Sequence, residues 1–257
     1  MRILAVAHLT LTELWRQKTQ WGFIVLALLL VLPAIVPLDG ITSNGAALVG
    51  PKLAEAFLAF AQFVAVFLAI SAASGLVAND LERGTGLMVL SKPLWREQIL
   101  FGKLLGAAVF MSIAWIGWGL IAGAAFSFRM GGALFMPTFL GFAGSMVASW
   151  LVVAFCLFWS CWLPANAVVG LAVLGWILAS AAPEVAEVAA SAGYSTVGRV
   201  LAGLGELLPI GKLSDAAKQL ITGESLQPHV FWSTGLIFVW WFAAALIFSN
   251  RDLATSG

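Results

Sequence analysis

Charge is what this chain has least of. Only 10% of its 257 residues are charged, whereas 61% are hydrophobic. A water-soluble domain carries about 25% charged residues and about half apolar ones. So little charge cannot cover a globular surface facing water, which excludes an ordinary soluble domain and points to several helices in lipid. The formal net charge is +1, so there is no basic field of the kind that draws a protein to nucleic acid. Cysteine is also scarce. Cys156 and Cys161 lie in or beside one apolar run and read as small buried hydrophobes rather than a disulfide or a metal pair.

Recognisable chemistry is missing as well. There is no HExxH, and the Gly-Lys pairs at 102–103 and 211–212 lack the flanking residues of a phosphate-binding GxxxxGK[ST] loop. No apolar run holds an acid, Lys, Arg or His at mid-depth, where a proton- or ion-coupled pump places one. Gln62 is the most polar side chain in the middle of any run. The sequence therefore offers no means of hydrolysing a nucleotide or of drawing on a proton gradient. If this protein moves something uphill, the energy arrives through a partner.

What is present is a series of uncharged runs: approximately 21–38, 56–78, 104–128, 138–162, 165–182 and 230–249. At about 1.5 Å per residue these runs suit a bilayer crossing, the first, interrupted by Pro33 and Pro37, being close to the minimum length. The fourth and fifth are parted only by Leu163-Pro164, a tight hairpin. The expectation is an all-α integral membrane protein with six transmembrane helices in one domain, 1–257. Arg16 and Lys18 precede the first run, which suits a retained span rather than a cleaved signal peptide.

Lys and Arg set the orientation. With the N-terminus in the cytoplasm, the inner side holds Arg2, Arg16, Lys18, Arg83, Lys92, Arg96, Lys103 and Arg251, against Lys52 and Arg129 in the shorter outer loops. Both termini are then cytoplasmic, in the inner (plasma) membrane. Small-xxx-small pairs suit helix packing in lipid: Ser71 with Gly75, Gly119 with Gly123, Gly141 with Ser145. Trp21, Trp162 and Trp232 fall near span ends. Trp115, Trp118, Trp176, Trp240 and Trp241 fall deeper, against lipid, partner helices or an apolar substrate path.

Three segments do not span. Residues 2–18 form an amphipathic interfacial helix, with Leu4, Leu11, Leu14 and Trp15 on or near one side and His8, Glu13, Arg16 and Lys18 polar. The 183–229 connection forms an external helical segment. It opens with Pro183 and an acidic, alanine-rich turn, continues through an interfacial or re-entrant stretch at 197–211, and offers a short helix at Ser214–Ile221. It is either a stabilising cover or a gate over the outer mouth.

The third segment, 79–103, packs seven formal charges between two apolar runs. Asn79 and Asp80 can cap a helix starting near Leu81, Gly84 and Gly86 allow a bend, and Pro93 restarts a helix leading through Arg96 to Lys103. This makes a stiff cytoplasmic hairpin fused to the second and third spans. The simplest role for Lys103 is to anchor the inner end of its helix. Pushing on the hairpin as a whole would move both spans.

These residues resemble the membrane subunits of ABC transporters of the ABC-2 (type V exporter-like) family. That pattern is an acidic residue followed by Gly-Thr, a Leu-Ser-x-Pro step, an Arg, and Gly-Lys at the start of the third span. Here they are Glu82, Gly84, Thr85, Leu90, Ser91, Pro93, Arg96, Gly102 and Lys103. A Glu and an Arg before the first span are matched by Glu13 and Arg16. The resemblance implies a non-enzymatic permease that binds no cofactor, with ATP and magnesium held by a separate cytoplasmic ABC ATPase dimer. A second permease subunit, self or sister, would complete the exporter, and a periplasmic protein is a further candidate partner. Glu13, Arg16, Glu82, Arg83, Gly84, Thr85, Pro93, Arg96 and Lys103 would form the ATPase-coupling interface. Gln62, Phe63, Asn166 and Trp176 would lie on a substrate path. Within the family the chain looks most like permeases linked to maturation of multicopper enzymes such as nitrous-oxide reductase, and the alternative role is a non-transporting scaffold that transmits ATPase motion.

Overall fold

A computed structural model describes residues 2–16, 20–35, 42–43, 46–47, 51–82, 96–130, 132–191, 194, 196, 198–200, 203, 208–223 and 229–250. Ten α-helices hold almost all of them: α1 (Arg2–Arg16), α2 (Gln20–Ile35), α3 (Pro51–Ala73), α4 (Ala78–Glu82), α5 (Arg96–Met130), α6 (Phe135–Gly144), α7 (Met146–Ser160), α8 (Ala165–Ser191), α9 (Ile210–Thr222) and α10 (His229–Asn250). Thr42–Ser43 and Ala46–Ala47 pair as a minimal antiparallel ladder, which the sequence did not suggest.

By length and composition, three stretches among the described residues can cross a membrane: Pro51–Asp80, Glu97–Phe128 and Gly132–Ser160. Shorter apolar helices lie at Trp21–Leu32, Ala165–Ala181 and Thr234–Ser249. Large apolar side chains cover much of the outside, among them Ile24, Leu28, Ile113, Leu120, Phe238 and Phe242. That much exposed hydrocarbon suits lipid and not water. The protein is an all-α integral membrane protein, with one continuous buried cluster running from Leu14 to Phe248.

The longest helix, α5, is the post around which α1, α2, α6, α7 and α10 gather. Indole N–H groups tie it to α7. Trp115 donates to Ser149 Oγ (2.7 Å), and Trp150 donates to Ala108 O (3.1 Å) and Ser112 Oγ (3.0 Å). Trp118 donates to the Phe23 carbonyl of α2 (3.1 Å) and stacks on the Phe23 ring. In lipid, where apolar burial gives helices little reason to associate, such bonds and close packing do the work of cohesion.

Glycine sets the closest approaches. A Cβ on Gly106 would lie 2.6 Å from the Ala7 carbonyl oxygen, and one on Gly102 would lie 2.7 Å from Val6 Cβ. The two glycines therefore form a flat seat on α5, along which α1 lies. The seat also shows which side of α1 packs on the protein. Val6, Thr10 and Leu14 are the buried residues, whereas Leu4 and Trp15 point outward. The small side chains Val6, Ala7 and Thr10 meet the glycine seat, while Leu14 is buried further along the helix.

Three expected boundaries also shift. α8 continues through Pro183 to Ser191 where a turn was expected. The Ala-, Glu- and Val-containing stretch after the proline holds good helix formers, and they outweigh one lost N–H. At Ser145 the fourth apolar run divides into α6 and α7. The Ser145 hydroxyl donates back to Gly141 O (3.1 Å), a bond that bends helices. Finally, α4 begins at Ala78, so Asn79 and Asp80 lie within it and do not cap it.

Candidate functional site

Two polar networks interrupt the apolar body. The first is where α3 ends. The chain turns through 74–77 and enters α4, leaving backbone groups that need partners. Ser160, the last residue of α7, supplies an acceptor: its Oγ takes hydrogen bonds from Val77 N (3.1 Å) and Ala78 N (3.0 Å). The cap expected from Asn79 or Asp80 is thus provided by another helix. From α5, Lys103 Nζ donates to the Leu76 carbonyl and forms an ion pair with Asp80 Oδ2 at 2.5 Å. The Lys103 side chain is 9% exposed, and a charge so buried requires a partner of this kind. Lys103 is therefore more than an end anchor: with Ser160 it clamps the start of α4 to α5 and α7.

The expected coupling residues are distributed as follows. Glu13 and Arg16 lie exposed on α1, which the Gly102/Gly106 seat brings alongside the start of α5. Glu82 closes α4 and Arg96 opens α5. Arg83, Gly84, Thr85 and Pro93 lie outside the described residues. Lys103 is the one whose contacts are fully drawn. Asp80 and Ser160 complete its site, and sequence reasoning missed both roles. The signal available for Asp80 was an acid and a base at the same end of two neighbouring helices.

The second network is uncharged and sits midway along α3. Gln62 Nε2 donates to Ser145 Oγ (2.8 Å), while Ser214 of α9 donates to Gln62 Oε1. Because Ser145 gives its own proton to Gly141 O, its oxygen must accept from Gln62, which fixes the orientation of the amide. A four-member relay results: Ser214, Gln62, Ser145, Gly141 O.

α9 is set into the helices here. Leu213, Ala216, Ala217 and Ile221 are buried against α3, α6, α7, α8 and α10. A Cβ on Gly141 would lie 2.5 Å from Ile221 Cγ1. The helix ends at Gly223 in the left-handed conformation (φ 78°), a form glycine adopts without strain. Its opposite face carries Asp215 and Lys218, paired at 2.9 Å.

Beneath α9 lies a cavity of about 240 Å³ lined by Gln62, Phe63, Trp115, Ser149, Trp176 and Ser214, among others. Three of the four expected path residues therefore meet. The fourth does not: Asn166 lies exposed in the first turn of α8, ten residues and about 15 Å along the helix from Trp176.

The fold defines a polytopic, all-helical membrane protein with a clamped turn after α3 and a cavity under an amphipathic helix. The chain belongs to the ABC-2 family of transporter proteins, whose family model, described as "ABC-2 family transporter protein", matches residues 4–253. Members of this family are non-catalytic membrane components of transporters. No curated protein matches the chain.

Proposed function

We propose that this chain is the permease half of an ATP-driven exporter in the inner (plasma) membrane. Six spans, with both termini cytoplasmic, form one domain over 1–257, and two permease copies work with a separate cytoplasmic ATPase dimer. Force enters at the segment after α4, whose two charged flanks are Glu82 and Arg96, and at the exposed Glu13 and Arg16 of α1. The observation that carries this reading is the clamp. Lys103 and Ser160 join the start of α4 to α5 and α7, so displacement of the segment beyond Glu82 is passed to two long helices and not absorbed in a loose turn. Gln62, Phe63 and Trp176 contribute to the substrate path from their cavity.

The test is purification from native membranes, followed by ATP hydrolysis in the complex. A Walker-motif ATPase should co-purify, and Glu82→Lys or Arg96→Glu should lower substrate-stimulated hydrolysis severalfold while insertion is unchanged. Transport without any ATPase, abolished by an uncoupler, would overturn the reading. Normal hydrolysis together with an envelope protein in the complex and no transport would instead favour the scaffold role, including the multicopper-maturation variant.

A further inference from the structure

The cavity under α9 has hydrogen-bonding capacity that the protein itself does not use. Gln62 spends one of its two amide N–H bonds on Ser145. Ser149 is 3% exposed, and its oxygen accepts the Trp115 indole N–H. Among the described residues the Ser149 hydroxyl proton meets no acceptor. A buried hydroxyl left in that state marks a place where an acceptor belongs. The lining includes no charged side chain, so the acceptor it suits is neutral: a carbonyl oxygen, which can accept from both donors, and not a phosphate or carboxylate.

Depth narrows the choice. Asp215 is the residue after Ser214, and its side chain is 67% exposed. A charged, exposed position therefore lies next to the Ser214 that bonds Gln62, and a charge of this kind belongs at a polar boundary. From Gln62 inward the wall becomes aromatic. Phe63, Phe67 and Trp176 form a mutual cluster with ring centroids 5.1 to 5.5 Å apart. Phe63 lines the cavity and is 49% exposed, and its ring neighbour Phe67 is 40% exposed, so the aromatic wall continues from the cavity onto the outer face of α3. Donors at the rim and an apolar wall running away from the charged boundary reproduce the polarity profile of one ester-linked acyl chain in a leaflet.

We infer that this cavity is a lateral binding site for an ester-linked acyl chain. The ester carbonyl accepts from Gln62 Nε2 and Ser149 Oγ, and the hydrocarbon lies along Phe63, Phe67 and Trp176. This is the cavity that the exporter reading places on the substrate path, but its lining comes from this chain alone, so acyl-chain binding can be tested apart from transport.

Ester and ether lipids distinguish the idea directly, because an ether-linked chain has the same hydrocarbon without the carbonyl. The purified chain would be placed in nanodiscs with a trace of diester phospholipid carrying a photoactivatable diazirine in one acyl chain, or with its diether analogue. Labelled peptides would be mapped by mass spectrometry. The expected result is about tenfold stronger labelling of Phe63 and Trp176 peptides by the diester probe, the loss of two hydrogen bonds. Ile113 and Leu120, on the lipid-facing side of α5, should label equally with both and serve as the folding control. Ser149→Ala and Gln62→Leu should each narrow the diester preference. Equal labelling by the two probes in the wild-type chain, or labelling at Phe63 no stronger than at Ile113, would overturn the inference. The measurement needs no ATPase, so failure of the exporter reading leaves it standing.

Discussion

The clamp at the end of α3 and the relay at its middle face the same difficulty with different chemistry. Both are polar groups in apolar surroundings, and both use a serine of the fourth apolar run, Ser160 in one and Ser145 in the other. The clamp contains a full charge, Lys103, while the relay contains only an amide and hydroxyls. A charge loses far more than an amide when its partner goes, because its larger desolvation cost is left uncompensated. The clamp is therefore suited to holding two elements together under load. The relay can exchange one hydrogen-bond partner for another at small cost, which is what a site beside a cavity requires.

Removing Asp80 is the strongest way to break this contrast. Asp80→Ala leaves Lys103 buried against the Leu76 carbonyl without its carboxylate, and should cost about 3 kcal/mol. Thermal unfolding in detergent would register this as a large fall in midpoint. Adding Lys103→Met should recover most of it. No recovery in the double variant would mean that the ion pair is not the source of the loss.

The relay should respond more gently. Gln62→Leu removes two hydrogen bonds but strands no charge, and hydrogen bonds between membrane helices average well under the value of a buried ion pair. A loss of about 1 kcal/mol is expected in the same unfolding assay. A loss equal to that of Asp80→Ala would erase the distinction between the two sites. At the far end of the scale is the Asp215–Lys218 pair, whose side chains are 67% and 37% exposed. Lys218→Gln should change the midpoint by less than about 0.5 kcal/mol, and that little should vanish in high salt.

The helices themselves were largely legible in the sequence, because absence of charge over some twenty residues has few explanations. The family was legible in the residues around Glu82 and Lys103. Side-chain partners were not. Gln62 meets serines 83 and 152 positions away, and nothing local announces which serine an amide will find. Which side of α1 packs on α5 was not legible: Val6, Ala7 and Thr10 meet Gly102 and Gly106, while Leu4 and Trp15 stay exposed, as suits an interfacial helix. Gly102 drew notice as part of a Gly-Lys pair. Its packing role appears only when paired with Gly106, one turn along, and with the small residues of α1. Pro183 was weighted too heavily as a stop, although the residues after it favour helix.

The spacing of the serine contacts along α3 has a mechanical meaning. Gln62 meets Ser145 at a separation of 83 residues, and Val77 meets Ser160 at the same separation. The two segments therefore run side by side in the same direction and in constant register, joined near both ends of a stretch about 22 Å long. Two rungs at one offset act like the two bolts of a catch. Sliding by even one helical turn, about 6 Å, must release both together, so intermediate positions gain nothing from either. Such a pair stays locked or jumps. If the exporter reading holds, a push on α4 would then reach the level of the cavity as a single step and not as a graded slide.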